Sequence, residues 1–164
     1  MQIQGQAALV TGGGSGLGEA VARELARLGA KVTVLDVNEA GAQRVAAEIG
    51  GIACKCDITD TASVTAALDA AEAAHGPARI VMNIAGIGGA KRIIAKDGSP
   101  APLEDFERVV RINLIGTYNV IRLAAARIAK LEALEDGERG AMVCTASVAA
   151  FDGQVGRASC RERV

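Results

Sequence analysis

Thr11-Gly12-Gly13-Gly14-Ser15-Gly16-Leu17-Gly18 is the stretch on which the fold turns. It follows Ala7-Ala8-Leu9-Val10, a continuous apolar run of the kind found in strands buried on both faces. It opens a helix over about residues 16–28, with Leu17, Val21, Leu25 and Leu28 at helical spacing and Gly29 to stop it. Spaced glycines alone are a weak signal. Between a buried strand and a helix they have a mechanism. The helix start carries unpaired N–H groups and the positive end of the dipole, and a pyrophosphate reaches them only where no side chain intervenes. Gly12, Gly16, Gly18, Leu17 and Ser15, whose hydroxyl adds a donor, are therefore candidate cofactor-binding residues.

Outward from this turn, Lys31 to Leu35 reads as a second strand ending at Asp36, eighteen residues past Gly18. A carboxylate there accepts hydrogen bonds from adenosine ribose hydroxyls and repels a ribose 2′-phosphate. Val37 is neutral and the turn holds no Lys or Arg, so NAD is expected rather than NADP. Ala40 to Ile49 reads as a helix closed by Gly50-Gly51, and Ile52 to Cys56 as a third strand ending at Asp57. Thr61 to His75 reads as a helix with Val64, Leu68 and Ala71 on one face, capped by Thr59 or Asp60 and stopped by Gly76-Pro77. Ile80-Val81-Met82 is a fourth strand, and residues 85–101 form a glycine-rich loop. Leu103 to about Ala133 reads as one long helix bent near Asn113, and Met142-Val143-Cys144 as a fifth strand running on to Ser147. Strands alternating with helices predict an α/β, Rossmann-type doubly wound parallel sheet, incomplete after the fifth strand.

Composition narrows the class. The 164 residues suit one domain; half are hydrophobic, yet aromatics are 2% and Trp is absent, so the core must come from Ala, Val, Ile and Leu. A net charge of -1 argues against a nucleic-acid partner. No apolar run approaches the roughly 18 residues of a membrane span. Residues 1–6 lack the pattern of a secretory signal, so the cytoplasm is expected. Cys54, Cys56, Cys144 and Cys160 are expected as buried small hydrophobes, with Cys54 and Cys56 on opposite faces of their strand and no metal site. His75 is expected at the surface, stabilised by a helix C-terminus.

The pattern Thr-Gly-x-x-x-Gly-x-Gly at residues 11–18 resembles the short-chain dehydrogenase/reductase family. Cys56-Asp57-Ile58 is similar to that family's adenine-contacting motif, with Asp57 bonding the adenine amino group beside Ile58. Asn83-Ile84-Ala85-Gly86 is similar to its Asn-x-Ala-Gly motif, which supports the sheet and lines the cofactor cleft. Asn113 falls where the family carries a structural and proton-relay asparagine, and Ser147 where it carries a catalytic serine that orients the substrate oxygen. The resemblance covers about residues 7–155 and implies a hydride-transferring oxidoreductase. Residues 113–123 and 145–156 are similar to the type 2 3-hydroxyacyl-CoA dehydrogenases, a group within the family. That implies an acyl-CoA substrate contacted by Phe151 and Gln154, and a homo-tetramer. A 3-oxoacyl-carrier-protein reductase, a steroid or sugar alcohol dehydrogenase, and a non-catalytic dinucleotide-binding module such as a redox-sensing regulator are the alternatives.

The family's tyrosine, thirteen residues after the serine, and its lysine, four further on, are replaced here by Cys160 and Val164. Tyr118, the one tyrosine, lies in the long helix and does not stand in. Residues 156–164, Gly-Arg-Ala-Ser-Cys-Arg-Glu-Arg-Val, resemble the conceptual translation of a sequencing-library adapter. The expectation is a truncated domain over residues 1–155 with a non-native tail over 156–164. Such a chain would expose the edge of its fifth strand, fold marginally and lack dehydrogenase activity.

Overall fold

The computed structural model describes residues 1–89 and 92–147. Five parallel strands form one sheet in the order β3-β2-β1-β4-β5, with β1 Ala7–Thr11, β2 Lys31–Asp36, β3 Ile52–Lys55, β4 Ala78–Asn83 and β5 Ala141–Cys144. The helices are α1 Gly16–Arg27, α2 Glu39–Ile49, α3 Thr61–His75, α4 Leu103–Val110 and α5 Thr117–Ile128, with a π-helical segment Arg111–Gly116 joining the last two.

Period-two alternation explains how the sheet is covered on both sides. On one face Leu9, Leu35 and Val81 pack with Val64 and Leu68 of α3 and Val120 and Ala124 of α5. On the other Ala8, Val10, Val32, Val34 and Ile80 pack with Ala22 and Leu25 of α1 and Ala42 and Val45 of α2. All five residues of β1 are buried, as its unbroken apolar run predicts. The chain leaves β1 toward β2 and β3 on one side, then returns to β4 and β5 on the other. The strand order therefore reverses between β1 and β4, and a crevice opens there beyond the C-terminal strand ends.

Local signals explain the boundaries. The Asn38 side chain caps α2 by accepting from Gly41 N at 3.2 Å, and Gly50, at φ 66°, closes it. Of the two candidate caps for α3, Asp60 is the one used, accepting from Ala62 N at 3.0 Å.

Several details depart from the sequence reading. In α1 the buried residues are Gly18, Ala22 and Leu25, whereas Leu17 is 73% exposed and Leu28 is 38% exposed. Small residues let α1 lie close on the sheet, and Leu17 turns to the crevice instead. Cys54 and Cys56 share one face, because residues two apart in an extended chain point the same way, and both pack in the same apolar cluster. Cys144 is exposed rather than buried. The long helix is three segments and stops at Ile128, not near Ala133. Ile128 O accepts from Leu131 N in a tighter turn, while Arg139 and Arg79 take the carbonyls of Leu131 and Glu132. His75 is half-buried rather than at the surface, and its enclosed Nε2 has no hydrogen-bond partner among the described residues. β5 ends at Cys144, before Ser147, and pairs only with β4 among the described residues. No described helix is long and apolar enough to cross a membrane, and no cluster of described His, Cys, Asp or Glu side chains is arranged to hold a metal.

Candidate dinucleotide cleft

The crevice at the strand-order reversal is a cleft of about 630 Å³. One wall is the glycine turn, with Gly12, Ser15, Gly16, Leu17 and Gly18. Gly12 adopts φ 67°, and a Cβ there would meet Ala85 Cα at 2.7 Å. A Cβ on Gly18 would land on the Gly12 carbonyl, so the turn closes over the start of α1 only because both residues lack side chains. Ser15 is the extended residue before α1 and makes no side-chain cap, which leaves the first-turn amides without that partner.

Asp36 and Val37 supply the floor at the end of β2. Asp36 is half-buried and held from two sides: Oδ2 accepts from Gly14 N at 2.9 Å and Oδ1 from Asn38 N at 2.8 Å. Each carboxylate oxygen has a second lone pair, so acceptor capacity remains toward the cleft. At the end of β3, Asp57, Ile58 and Thr59 line the same space. Asp57 Oδ1 accepts from Thr59 N at 2.9 Å and from Thr59 Oγ1 at 2.8 Å, which fixes that carboxylate too. Cys56 lines the cleft from below; burial pushes its thiol up to about 11, so it stays protonated and unreactive.

Ile84, Ala85 and Gly86 form the opposite wall after β4. Buried Thr11 secures them: its Oγ1 accepts from Ile84 N and from Ala85 N, both at 3.1 Å. Asn83 does not line the cleft. It is buried behind this wall, where Nδ2 donates to Val143 O at 3.3 Å and ties β4 to β5. Asn113 is exposed and bonds the wall from outside. From the π segment its Oδ1 accepts from Ile87 N and its Nδ2 donates to Ile87 O, both at 2.9 Å. Ser147 follows β5 as an exposed residue, three positions beyond the strand end, and is not among the cleft's lining residues. Phe151 and Gln154 lie outside the described residues. Tyr118 is exposed on α5 and does not line the cleft.

Sequence reasoning missed several contributors. Thr11 was visible as a polar residue closing an apolar strand, a signal for a side chain with a job beyond packing. Arg108 and Arg111 line the cleft one helical turn apart, with no partner among the described residues. Their i, i+3 spacing was legible, but not the placement of that face against the glycine turn.

A family model described as short chain dehydrogenase matches residues 6–159. The 3-hydroxyacyl-CoA dehydrogenase type-2 of Drosophila melanogaster is 43% identical over 160 residues, covering 96% of this chain and 63% of that protein. A crystal structure of 3-hydroxyacyl-CoA dehydrogenase type-2 from Mycobacterium avium superposes with a TM-score of 0.86 at 42% identity, over 93% of this chain and 60% of that one. A crystal structure of 3-ketoacyl-(acyl-carrier-protein) reductase from Brucella melitensis complexed with NADH gives 0.68 at 41% identity, over 77% of this chain and 51% of that one. The chain thus spans about three-fifths of the length of the type-2 relatives it matches.

Proposed function

Because the chain belongs to the short-chain dehydrogenase family, we propose that it is the dinucleotide-binding part of an NAD-dependent oxidoreductase that interconverts a 3-hydroxyacyl-CoA and its 3-oxo form. The observation that carries the reading is one cleft in which a side-chain-free turn, the Asp36 carboxylate and the Asp57-Ile58 pair meet. A bare helix start supports a dinucleotide: Cβ atoms on Gly12 or Gly18 would collide with the chain's own backbone, so the turn keeps these positions free of side chains.

In this reading the amides at the start of α1 and the Ser15 hydroxyl hold the pyrophosphate, Asp36 the adenosine ribose hydroxyls, and Asp57 with Ile58 the adenine. Ile84, Ala85 and Gly86 bound the remainder. When bound, the nicotinamide supplies or accepts the hydride. Ser147, beyond the end of β5, orients the substrate oxygen, and Asn113 positions the Ile87 segment while serving the proton path. Phe151 and Gln154 contact the acyl group on the strength of resemblance alone. Proton transfer needs an acid–base partner that Cys160 and Val164 do not provide. The 164-residue chain is accordingly proposed to bind dinucleotide without turning over, as a domain over residues 1–155 with a non-native tail. The complete protein is proposed to be a cytoplasmic homo-tetramer, and the free thiols of Cys54, Cys56 and Cys144 suit a reducing compartment.

The similarity to relatives named 3-hydroxyacyl-CoA dehydrogenase type-2 supports the acyl-CoA substrate, and Asp36 beside neutral Val37 supports NAD. Titration of the purified chain with NADH and NADPH, followed by nicotinamide fluorescence, tests the cofactor. NADH should bind at least tenfold more tightly; equal or tighter NADPH binding overturns the assignment. A second reading, reduction of a 3-oxoacyl group on carrier protein, is favoured by the likeness to the Brucella reductase. Assaying a complete gene product with acetoacetyl-CoA and with acetoacetyl-carrier protein separates the two.

A further inference from the structure

Beside the glycine turn, on α2 and outside the residues that line the cleft, stands a cation that the proposed NAD site does not use. Arg44 Nη2 donates to the Gly14 carbonyl at 3.3 Å, while Gly14 N donates to Asp36 Oδ2 at 2.9 Å. A guanidinium therefore stands one peptide away from the carboxylate assigned to the ribose. Its planar fork suits a phosphate on the adenosine 2′ position, the group that separates NADP from NAD.

Arg44 is held elsewhere. Glu19, in the first turn of α1, accepts from it through both oxygens, at 3.0 Å from Nη1 and 2.6 Å from Nη2. Glu19 Oε1 also accepts from Arg23 Nε at 3.1 Å and Nη2 at 2.8 Å, and Arg23 pairs in turn with Glu48. Glu48 reaches Arg44 only at 3.4 Å. Two cations and two carboxylates thus close a ring with no formal net charge. The hydrogen bonds from Arg44 and then Arg23 hold the Glu19 carboxyl down to about 2, so the ring is fully ionised at neutral pH. Ala42, Val45 and Ala46 anchor α2 in the core, so releasing Glu19 would free the Arg44 side chain without moving its backbone.

We infer that Glu19 is a specificity-determining residue: it engages Arg44 and keeps that guanidinium from pairing with a 2′-phosphate. Exclusion of 2′-phosphorylated dinucleotides then rests on two carboxylates, Asp36 by repulsion and Glu19 by occupying the cation. The inference rests on reading the cleft as an adenosine site, and the test separates the two.

The 164-residue chain is titrated calorimetrically with 2′,5′-ADP and with 5′-ADP, and the ratio of affinities is read. Asp36→Asn alone should raise the preference for 2′,5′-ADP about tenfold. Adding Glu19→Gln should raise it a further threefold or more, and adding Arg44→Gln to that double variant should remove the second gain. No second gain, or a second gain that survives Arg44→Gln, overturns the role of Glu19. An unchanged ratio in Asp36→Asn overturns the ribose assignment of Asp36, while the Glu19 and Arg44 comparison still reports on the ring. Circular dichroism checks each variant for folding, and Glu19→Asp, which withdraws the carboxylate from Arg44, replaces a Glu19→Gln that does not fold.

Discussion

Replacing Thr11 by Val removes one hydroxyl and almost no volume. That hydroxyl is the acceptor for both Ile84 N and Ala85 N, each at 3.1 Å, and it is buried at the end of the central strand. An enclosed N–H left without a partner costs about 1–3 kcal/mol. Ile84 and Ala85 are half-buried, so water recovers part of the loss. The net cost for the pair should be about 2 kcal/mol. For a domain of this size that lowers the melting temperature by about 4–8 °C. Because the freed amides belong to the wall facing the glycine turn, NADH affinity should fall as well. Thr11→Ser keeps the acceptor and loses one methyl, which costs about 1 kcal/mol, and it should retain the affinity. Thermal melts followed by circular dichroism, with NADH titrations on the same samples, read both effects. A Thr11→Val chain that melts with the parent and binds NADH as tightly would refute the idea that this hydroxyl positions the wall.

Gly18→Ala places a Cβ on the Gly12 carbonyl and should cut NADH affinity more than tenfold while leaving the far-ultraviolet spectrum of the sheet and helices intact; titration decides it. Val45→Ala, at a fully buried site under α2, should cost about 2 kcal/mol in a denaturant titration. Leu17→Ala should stay within about 0.5 kcal/mol of the parent in the same experiment, since Leu17 faces the cleft rather than the core. Acid sensitivity should follow Glu19. Its carboxyl lies at about 2 in the folded chain against 4.5 in the unfolded one, so its stabilising effect is complete above 4.5 and fades as pH falls toward 2. Glu19→Gln should flatten that part of the stability–pH curve, measured by denaturant midpoints, and an unchanged curve would count against the ring.

What the sequence revealed and what it hid divide along physical lines. Elements whose evidence is local were legible: the buried run of β1, the glycine turn, and the Asp60 cap and Gly76 stop of α3 all signal through neighbouring residues. The side of α1 that packs was not legible, because Leu17 obeys helical spacing yet belongs to the cleft, and only the approach of Gly18 to Gly12 decides between the faces. The end of the long helix was hidden because Arg79, more than fifty residues away, takes the Glu132 carbonyl. The candidate ligand-facing residues at 12, 15–18, 36, 57–58 and 84–86 were found by motif, and the structure gathers them in one cleft. Asn83 proves to stand buried behind the wall, while Asn113, an exposed residue, holds the cleft-lining Ile87. The ring of Glu19, Arg23, Arg44 and Glu48 joins two helices: its i, i+4 halves, Glu19 with Arg23 and Arg44 with Glu48, are legible in sequence, but the pairing across the helices is not.

The π segment at Arg111–Gly116 has a consequence for chain length. A π turn holds more residues than an α turn over a similar reach, so the segment stores about one residue of slack. Its downstream anchor is firm, since buried Asn119 Nδ2 donates to the Ile58 carbonyl at 2.9 Å. A chain one residue shorter here can span the same distance as plain α-helix, leaving α4 and α5 seated where they are. What it forfeits is the outward turn that brings Asn113 to Ile87. Along this helical arm, then, a deletion is a way to uncouple the asparagine from the cleft without dismantling the sheet.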